Sequence, residues 1–425
     1  MSIELITFIV MLGTFLLGCF LCKLPIGISM VLASVAGALI GGQGVPVVHL
    51  VEGMFAYVDT ILVIATAMIF MRVIQESGTL DAICATIVER FHKVPALMLI
   101  MIMVIIMFPG MITGSSTAAV LSAGSIMAPV LMMMGVPILE TAVILSLGGM
   151  LGMIAPPTNL PAMIMCGGVD IPYSGFTLPL ILLTFPLAFA FVLVLGLKHV
   201  KKMNYAEVRA KLNTEVRKKY GFKIYIPLIL VVVLMVLNTA VPAIPDMGMP
   251  LVFLICSGVG CFTGRKINIL KVSKNAIQSV LPVMGILMGV GMFIQVMTLT
   301  GVRGLIVTSC LSLPSWARYI ALSTSIPLFG SVSAFGSASV LGVPFVLSFL
   351  AKNEIIVVSA LSLIASLGDM MPPTAMAGIF AAQVVGMKDY KLIMKKCLLP
   401  CLIILVWGVI FILAANFLEP FIVFH

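Results

Sequence analysis

The sequence predicts an all-α, polytopic membrane protein assembled from two copies of one unit. Three observations carry that expectation. The chain of 425 residues is 62% hydrophobic and only 9% charged. Its charges gather in short basic runs. Two short motifs of the first half return in the second at one constant separation.

A soluble domain is about 45–50% apolar and about 25% charged, so this composition leaves no ordinary water-facing surface. The net charge of +9 therefore reads as the basic cytoplasmic loops of a membrane protein, not as a nucleic-acid surface. Nine cysteines are scattered through apolar runs. Cys19 and Cys22 form a C-x-x-C with no second pair or neighbouring His, so all nine read as small hydrophobes. Leu16–Cys19 has the look of a lipoprotein box, but the chain starts with Glu4 instead of a basic segment. The first apolar stretch is expected to stay as a transmembrane helix.

Charge orients the threading. The longest polar segment, "KHVKKMNYAEVRAKLNTEVRKKYGFK", carries nine Lys/Arg against two Glu and is expected in the cytoplasm. It divides the chain into a first repeat, residues 1–197, a linker, 198–223, and a second repeat, 224–425. Upstream, Lys23 and "ERFHK" (89–93) fall inside, "VDIPYS" falls outside, and 176–197 enters. Downstream, 224–241 exits, "PAIPDMGMP" lies outside, and 251–264 returns. "RKINILKVSK" (265–274) is then inside, 276–297 exits, "KDYKLIMKK" (388–396) is inside, and 397–417 exits. Both termini are expected in the periplasm.

Between these spans lie segments that do not count correctly. Residues 96–134 are uncharged but split at "GMITGSST", and arms of about 16 residues reach only about 24 Å. That is short for a hydrocarbon core of about 30 Å, so a re-entrant helical hairpin is expected there, followed by a broken helix over about 138–168. "GSVSA" at Gly330 repeats "GSSTA" at Gly114, and "LGDMMPPT" at Leu367 repeats "LGMIAPPT" at Leu151. Both pairs are 216 residues apart. "ESGTLDAI" (76–83) and "LTGVRGLI" (299–306) extend the match at a slightly different offset. A second hairpin is thus expected over about 315–351 and a second broken helix over about 355–387. The first tip would approach from inside and the second from outside, which makes the repeats inverted. Each would hold about five spans, one hairpin and one broken helix. Inverted repeats with broken helices belong to secondary transporters, with sites near the midplane.

Irregular backbone at membrane depth is costly unless it is buried in protein or lines a wet cavity. Carbonyls freed at such breaks, with Ser, Thr and Asn oxygens, suit a hard cation such as sodium. The first cation site is therefore expected at Gly114, Ser115, Ser116, Thr117, Pro156, Thr158 and Asn159. The second is expected at Gly330, Ser331, Ser333, Asp369, Pro372 and Thr374. Substrate would sit between them, on Ser116, Asn159, Ser333 and Thr374. Asp369 is the acid beside a break, and an intramembrane carboxylate is a functional candidate by default. It could bind a cation, carry a proton or pair with a base. No cofactor is expected beyond sodium as coupling ion, with a proton as the alternative.

"TGSSTAAVLSAGSIMAPVL", "LGMIAPPT" and the preceding "ESGTLDAI" resemble the large membrane subunit of tripartite ATP-independent periplasmic (TRAP) transporters. The likeness covers residues 24–197 best and is weaker beyond. "SST" and "PPTN" are also similar to motifs of the divalent-anion/sodium symporters. The resemblance implies an elevator-type, sodium-coupled importer of organic anions in the bacterial inner membrane. It also implies a small membrane subunit and a periplasmic substrate-binding protein as partners. A stand-alone carrier of the same grouping is the alternative.

Arg72 and Glu76, four apart on one helix, read as an i,i+4 ion pair, and Arg303 as facing a cavity or the interface. "SLGD" before Met370 loosely suggests an intramembrane aspartyl protease. That chemistry needs two carboxylates sharing a proton, and the only partner in sight, Asp59, stands at a helix end. A channel would need a continuous polar lining, which the isolated breaks do not provide.

Overall fold

The computed structural model describes residues 2–205, 208–209, 214–240, 247–372 and 375–422, and among them every regular element is a helix. In the first half these are α1 (Ile3–Phe20), α2 (Ile26–Ile40), α3 (Val47–Phe55), α4 (Val58–Glu76), α5 (Thr79–Phe91), α6 (Pro95–Thr113), α7 (Ser116–Met133), α8 (Ile138–Ile154), α9 (Leu160–Val169) and α10 (Thr177–Val200). A short helix, Glu215–Tyr220, lies in the linker. The second half holds α11 (Ile226–Ala240), α12 (Gly248–Thr263), α13 (Ile269–Leu299), α14 (Val302–Ser312), α15 (Ser315–Gly330), α16 (Ala334–Ser348), α17 (Glu354–Ser366), α18 (Met376–Val385), α19 (Lys391–Leu413) and α20 (Ala415–Ile422).

The two halves run through the same order of elements. Two helices come first, then a long one (α3 with α4, or the continuous α13), a short one, two helices joined at a Gly-Ser turn, two shorter helices and a final long one, after which the second half adds α20. Local sequence explains several boundaries. Gly78 and Gly301, left-handed at φ 85° and 76°, begin α5 and α14, a conformation glycine adopts without steric cost. Pro95 takes the first position of α6, where its missing N–H matters least.

The helices pack as two groups. In one, α2 and α3 lie on α13 while α12 lies on α4. In the other, α8 packs on α18 while α9 packs on α17. The contacts answer one another across the halves: α2 on α13 is matched by α12 on α4, and α8 on α18 by α9 on α17. The first group is held by backbone approach. A Cβ on Gly291 would stand 1.9 Å from the Gly53 carbonyl oxygen, and one on Gly289 would stand 2.5 Å from that of Gly27. Small residues allow such contacts in lipid, where burial of apolar surface gives helices little mutual attraction.

Among the described residues, eight helices are long and apolar enough to cross a membrane. Their number and the composition make the chain a multi-pass membrane protein. The half-helices are shorter: α8 has 17 residues and α9 has 10. The outer face of α19 shows Leu398, Leu399, Leu402 and Val406 to the surroundings, a surface suited to lipid.

Two expectations need correction. Arg72 does not pair with Glu76; its Nη1 donates to Gln75 Oε1 at 3.3 Å, and Glu76 is exposed. The constant separation of 216 also hides a local shift. Beyond the tips, α7 and α16 each contain a five-residue π-helical turn, Val120–Gly124 and Ala338–Gly342. These turns are 218 residues apart, because the second tip is two residues longer and its outgoing arm shorter.

Candidate functional site

At the first tip, α6 ends on Thr113 and the chain reverses through Gly114, left-handed at φ 62°. A Cβ there would stand 2.4 Å from Leu160 Cγ, so the turn has neither the conformation nor the space for a side chain. Ser115 is extended and accepts from the Ala118 N–H at 3.3 Å, capping the outgoing arm. Its neighbour Ser116 points the other way and donates its hydroxyl to Asp369 Oδ2. That bond joins the first tip to the second break.

At the second tip, α15 ends on Gly330 and Ser331 remains in right-handed helical geometry, donating to the Leu328 carbonyl at 2.6 Å. Ser333 is the extended cap here and accepts from the Gly336 N–H at 3.1 Å. Ser333, not Ser331, therefore does what Ser115 does.

Each tip arm lies on its own repeat's break, and the motif glycines make this contact fit. A Cβ on Gly152 would stand 2.6 Å from the Met107 carbonyl oxygen, and one on Gly368 would stand 2.2 Å from the Gly330 backbone. At the first break, α8 stops at Ile154 and the chain runs through Pro156 and Pro157 to Asn159. The Thr158 N–H donates to the Met111 carbonyl at 3.1 Å. Its Oγ1 is fully buried with no hydrogen-bond partner. Asn159 caps α9 by accepting from the Ala162 N–H at 3.0 Å. Its Nδ2 donates to the Ile154 carbonyl at 3.0 Å and to Ser362 Oγ at 2.8 Å. At the second break, α17 passes into a 3₁₀ turn, Leu367–Met370, that carries Asp369. Pro372 follows; Thr374 lies outside the described residues.

A cavity of about 310 Å³ opens where these parts meet, lined by Ser115, Ser116, Thr117, Ser333, Asp369 and residues of α13. A second, of about 190 Å³, shares Ser115, Thr117 and Ser279 with it and adds Arg72 and Gln75. The structure thus brings together Ser115, Ser116, Thr117, Ser333 and Asp369 from the sequence-predicted residues. Thr158 and Asn159 are fully buried and line neither cavity, and Pro156 faces a separate one beside Tyr173. Sequence reasoning passed over Ser279 and Ser362 and assigned Arg72 elsewhere. The signal for Arg72 was present: a cation set in the otherwise apolar stretch of α4, where charges are rare without a role.

Among the described residues, no three His, Cys, Asp or Glu side chains gather as metal ligands. The polar side chains that line the larger cavity are hydroxyls and the one carboxylate of Asp369.

A family model described as "Tripartite ATP-independent periplasmic transporter, DctM component" matches residues 12–418. Among solved structures, the YdaH transporter of Alcanivorax borkumensis is similar at 16% identity, with 87% of each chain covered and a TM-score of 0.61. MtrF of Neisseria gonorrhoeae, described as illuminating a class of antimetabolite efflux pumps, is similar at 14% identity. There 87% of this chain and 84% of the other are covered, again with a TM-score of 0.61. At such identities the likeness is one of fold. No curated protein matches the sequence.

Proposed function

From the premise that the chain belongs to the DctM component family of tripartite ATP-independent periplasmic transporters, we propose that this permease imports a small organic carboxylate in symport with sodium. The observation that carries the reading is the cavity in which the first tip, the second tip and Asp369 meet, with Ser116 hydrogen-bonded to Asp369 across the repeats. One solute held there contacts both copies at once, so ordering either tip changes its affinity. That is how ion binding and solute binding become one coupled equilibrium.

Sodium occupies two sites in this reading. The buried, unpartnered Thr158 Oγ1 supports the first, because an orphaned oxygen at a break costs stability unless something binds it. Asp369 supports the second, with a proton as the alternative ion. Hairpins and half-helices (α6–α9 and α15–α18) form the moving unit of an elevator, and α2–α4 with α12 and α13 form the scaffold. The repeats are inverted, the basic linker is cytoplasmic and both termini are periplasmic. The partners implied by the family are a small membrane subunit and a periplasmic binding protein.

The test is uptake into proteoliposomes reconstituted with the genetically neighbouring binding protein and small subunit, using dicarboxylates, sialic acid and keto acids as probes. Accumulation should follow an imposed sodium gradient and vanish in Ser116→Leu at unchanged expression. Equal uptake without any ion gradient would sink the symport reading, and wild-type uptake by Ser116→Leu would remove that tip from the site. Accumulation without the binding protein would favour the stand-alone carrier.

A further inference from the structure

Arg72 stands in the last two turns of α4, on the scaffold, and lines the smaller cavity together with Ser115 and Thr117 of the first tip. Among the described residues it has no carboxylate within ion-pair distance, the four ion pairs there being elsewhere. One of its five N–H donors is taken, by Gln75 at 3.3 Å, which holds the planar fork without neutralising it. A cation near the end of a helix is favoured by the helix dipole, and a lysine would serve that purpose equally. The dipole does not explain an arginine tethered by a neutral amide at the mouth of a cleft. The larger cavity adjoins this cleft, with Ser115, Thr117 and Ser279 lining both.

We infer that Arg72 is an anion-recruiting residue on the scaffold: it draws small anions, organic carboxylates above all, to the first tip and repels free cations from the same mouth. Low-dielectric walls focus the field of one charge along such a cleft, and a guanidinium fork matches a carboxylate in two parallel hydrogen bonds. The carboxylate identity rests on the transport reading above; the electrostatic claim does not.

Leu121, 43% exposed, and Ser279 line the cleft with Arg72, so cysteines placed at these positions report its potential without any substrate. In full-length protein carrying Leu121→Cys or Ser279→Cys, the probes are anionic 2-sulfonatoethyl and cationic 2-(trimethylammonium)ethyl methanethiosulfonate. Labelling is taken as the increment over the parent protein. Arg72→Gln should lower the anionic-to-cationic rate ratio by about tenfold, as loss of one nearby charge acts oppositely on the two probes, while Arg72→Lys should keep most of it. Gln75→Leu should lower the ratio less. An unchanged ratio in Arg72→Gln would overturn the inference, and so would absence of labelling at both positions, which would show a cleft closed to ions. Because no transport is measured, a failed uptake assay with an intact ratio condemns the proposed function alone.

Discussion

The two breaks carry the same Leu-Gly and Pro-Pro-Thr landmarks and differ in chemistry. At the first, Asn159 uses both ends of its amide inside the protein, on Ile154, Ala162 and Ser362. Only Thr158 Oγ1 is left over, buried and away from the cavity. At the second, the conspicuous polar group is a carboxylate, Asp369. It precedes the prolines, faces the cavity and receives a hydrogen bond from the opposite repeat. The counterpart of Asp369 is Met153, which lines the same cavity. Both copies of the landmark interrupt a helix, yet one has a neutral interior and the other a charge. If both breaks bind cations, the two sites are unequal.

Asp369→Asn separates them most sharply. Asparagine keeps an oxygen that can accept from Ser116, so the joint between the repeats survives while the charge is lost. A hydrogen bond or ligand contact to a charged group contributes about 1.5–3 kcal/mol, so the sodium needed for half-maximal uptake should rise about 10–100-fold. Met153→Leu, nearly volume-conserving, should move it little. Superimposable sodium titrations of wild type and Asp369→Asn would erase the charged side of the comparison.

Thr158→Val tests the neutral side and should act more mildly. Valine keeps the shape and removes an oxygen that has no partner in the protein, so stability should hold or rise, by up to about 1–3 kcal/mol. If Thr158 Oγ1 is a sodium ligand, the same change should weaken sodium-dependent uptake several-fold and flatten the gain in thermal stability that sodium gives the wild type. A variant more stable yet equally active would leave the first break without an ion.

How much of this was legible in the sequence depends on the kind of signal. Composition shows the class, and the short glycine and proline landmarks fall where the described helices end, at Thr113, Ile154 and Gly330, because these residues mark where backbone leaves the helix. Arg72 was assigned to Glu76 from helical spacing alone, yet spacing does not tell which rotamer a long side chain takes, and Gln75 was also within reach. Asn159 was expected to face ligand; a strong polar group directly after a break is equally suited to cap the next half-helix, and its Oδ1 and Nδ2 are both engaged there. The constant separation of 216 concealed the two-residue shift at the tips, since an insertion before the cap and a deletion after it cancel. What a linear comparison loses is which serine does which task.

That shift gives the smallest effect and the cleanest contrast. Ser115 and Ser333 cap their outgoing arms from extended backbone, where loss of the cap to alanine costs about 1 kcal/mol and replacement by glycine only a few tenths. Ser331, aligned with Ser115 by sequence, lies in right-handed helical geometry at φ −61°. There glycine is worse than alanine by about 0.5–1 kcal/mol, because it has more backbone freedom to lose. Thermal unfolding of the purified protein in detergent should therefore rank glycine above alanine at 115 and 333 and alanine above glycine at 331. The same order at all three positions would mean that the tips are built alike and that the two-residue offset carries no change of role.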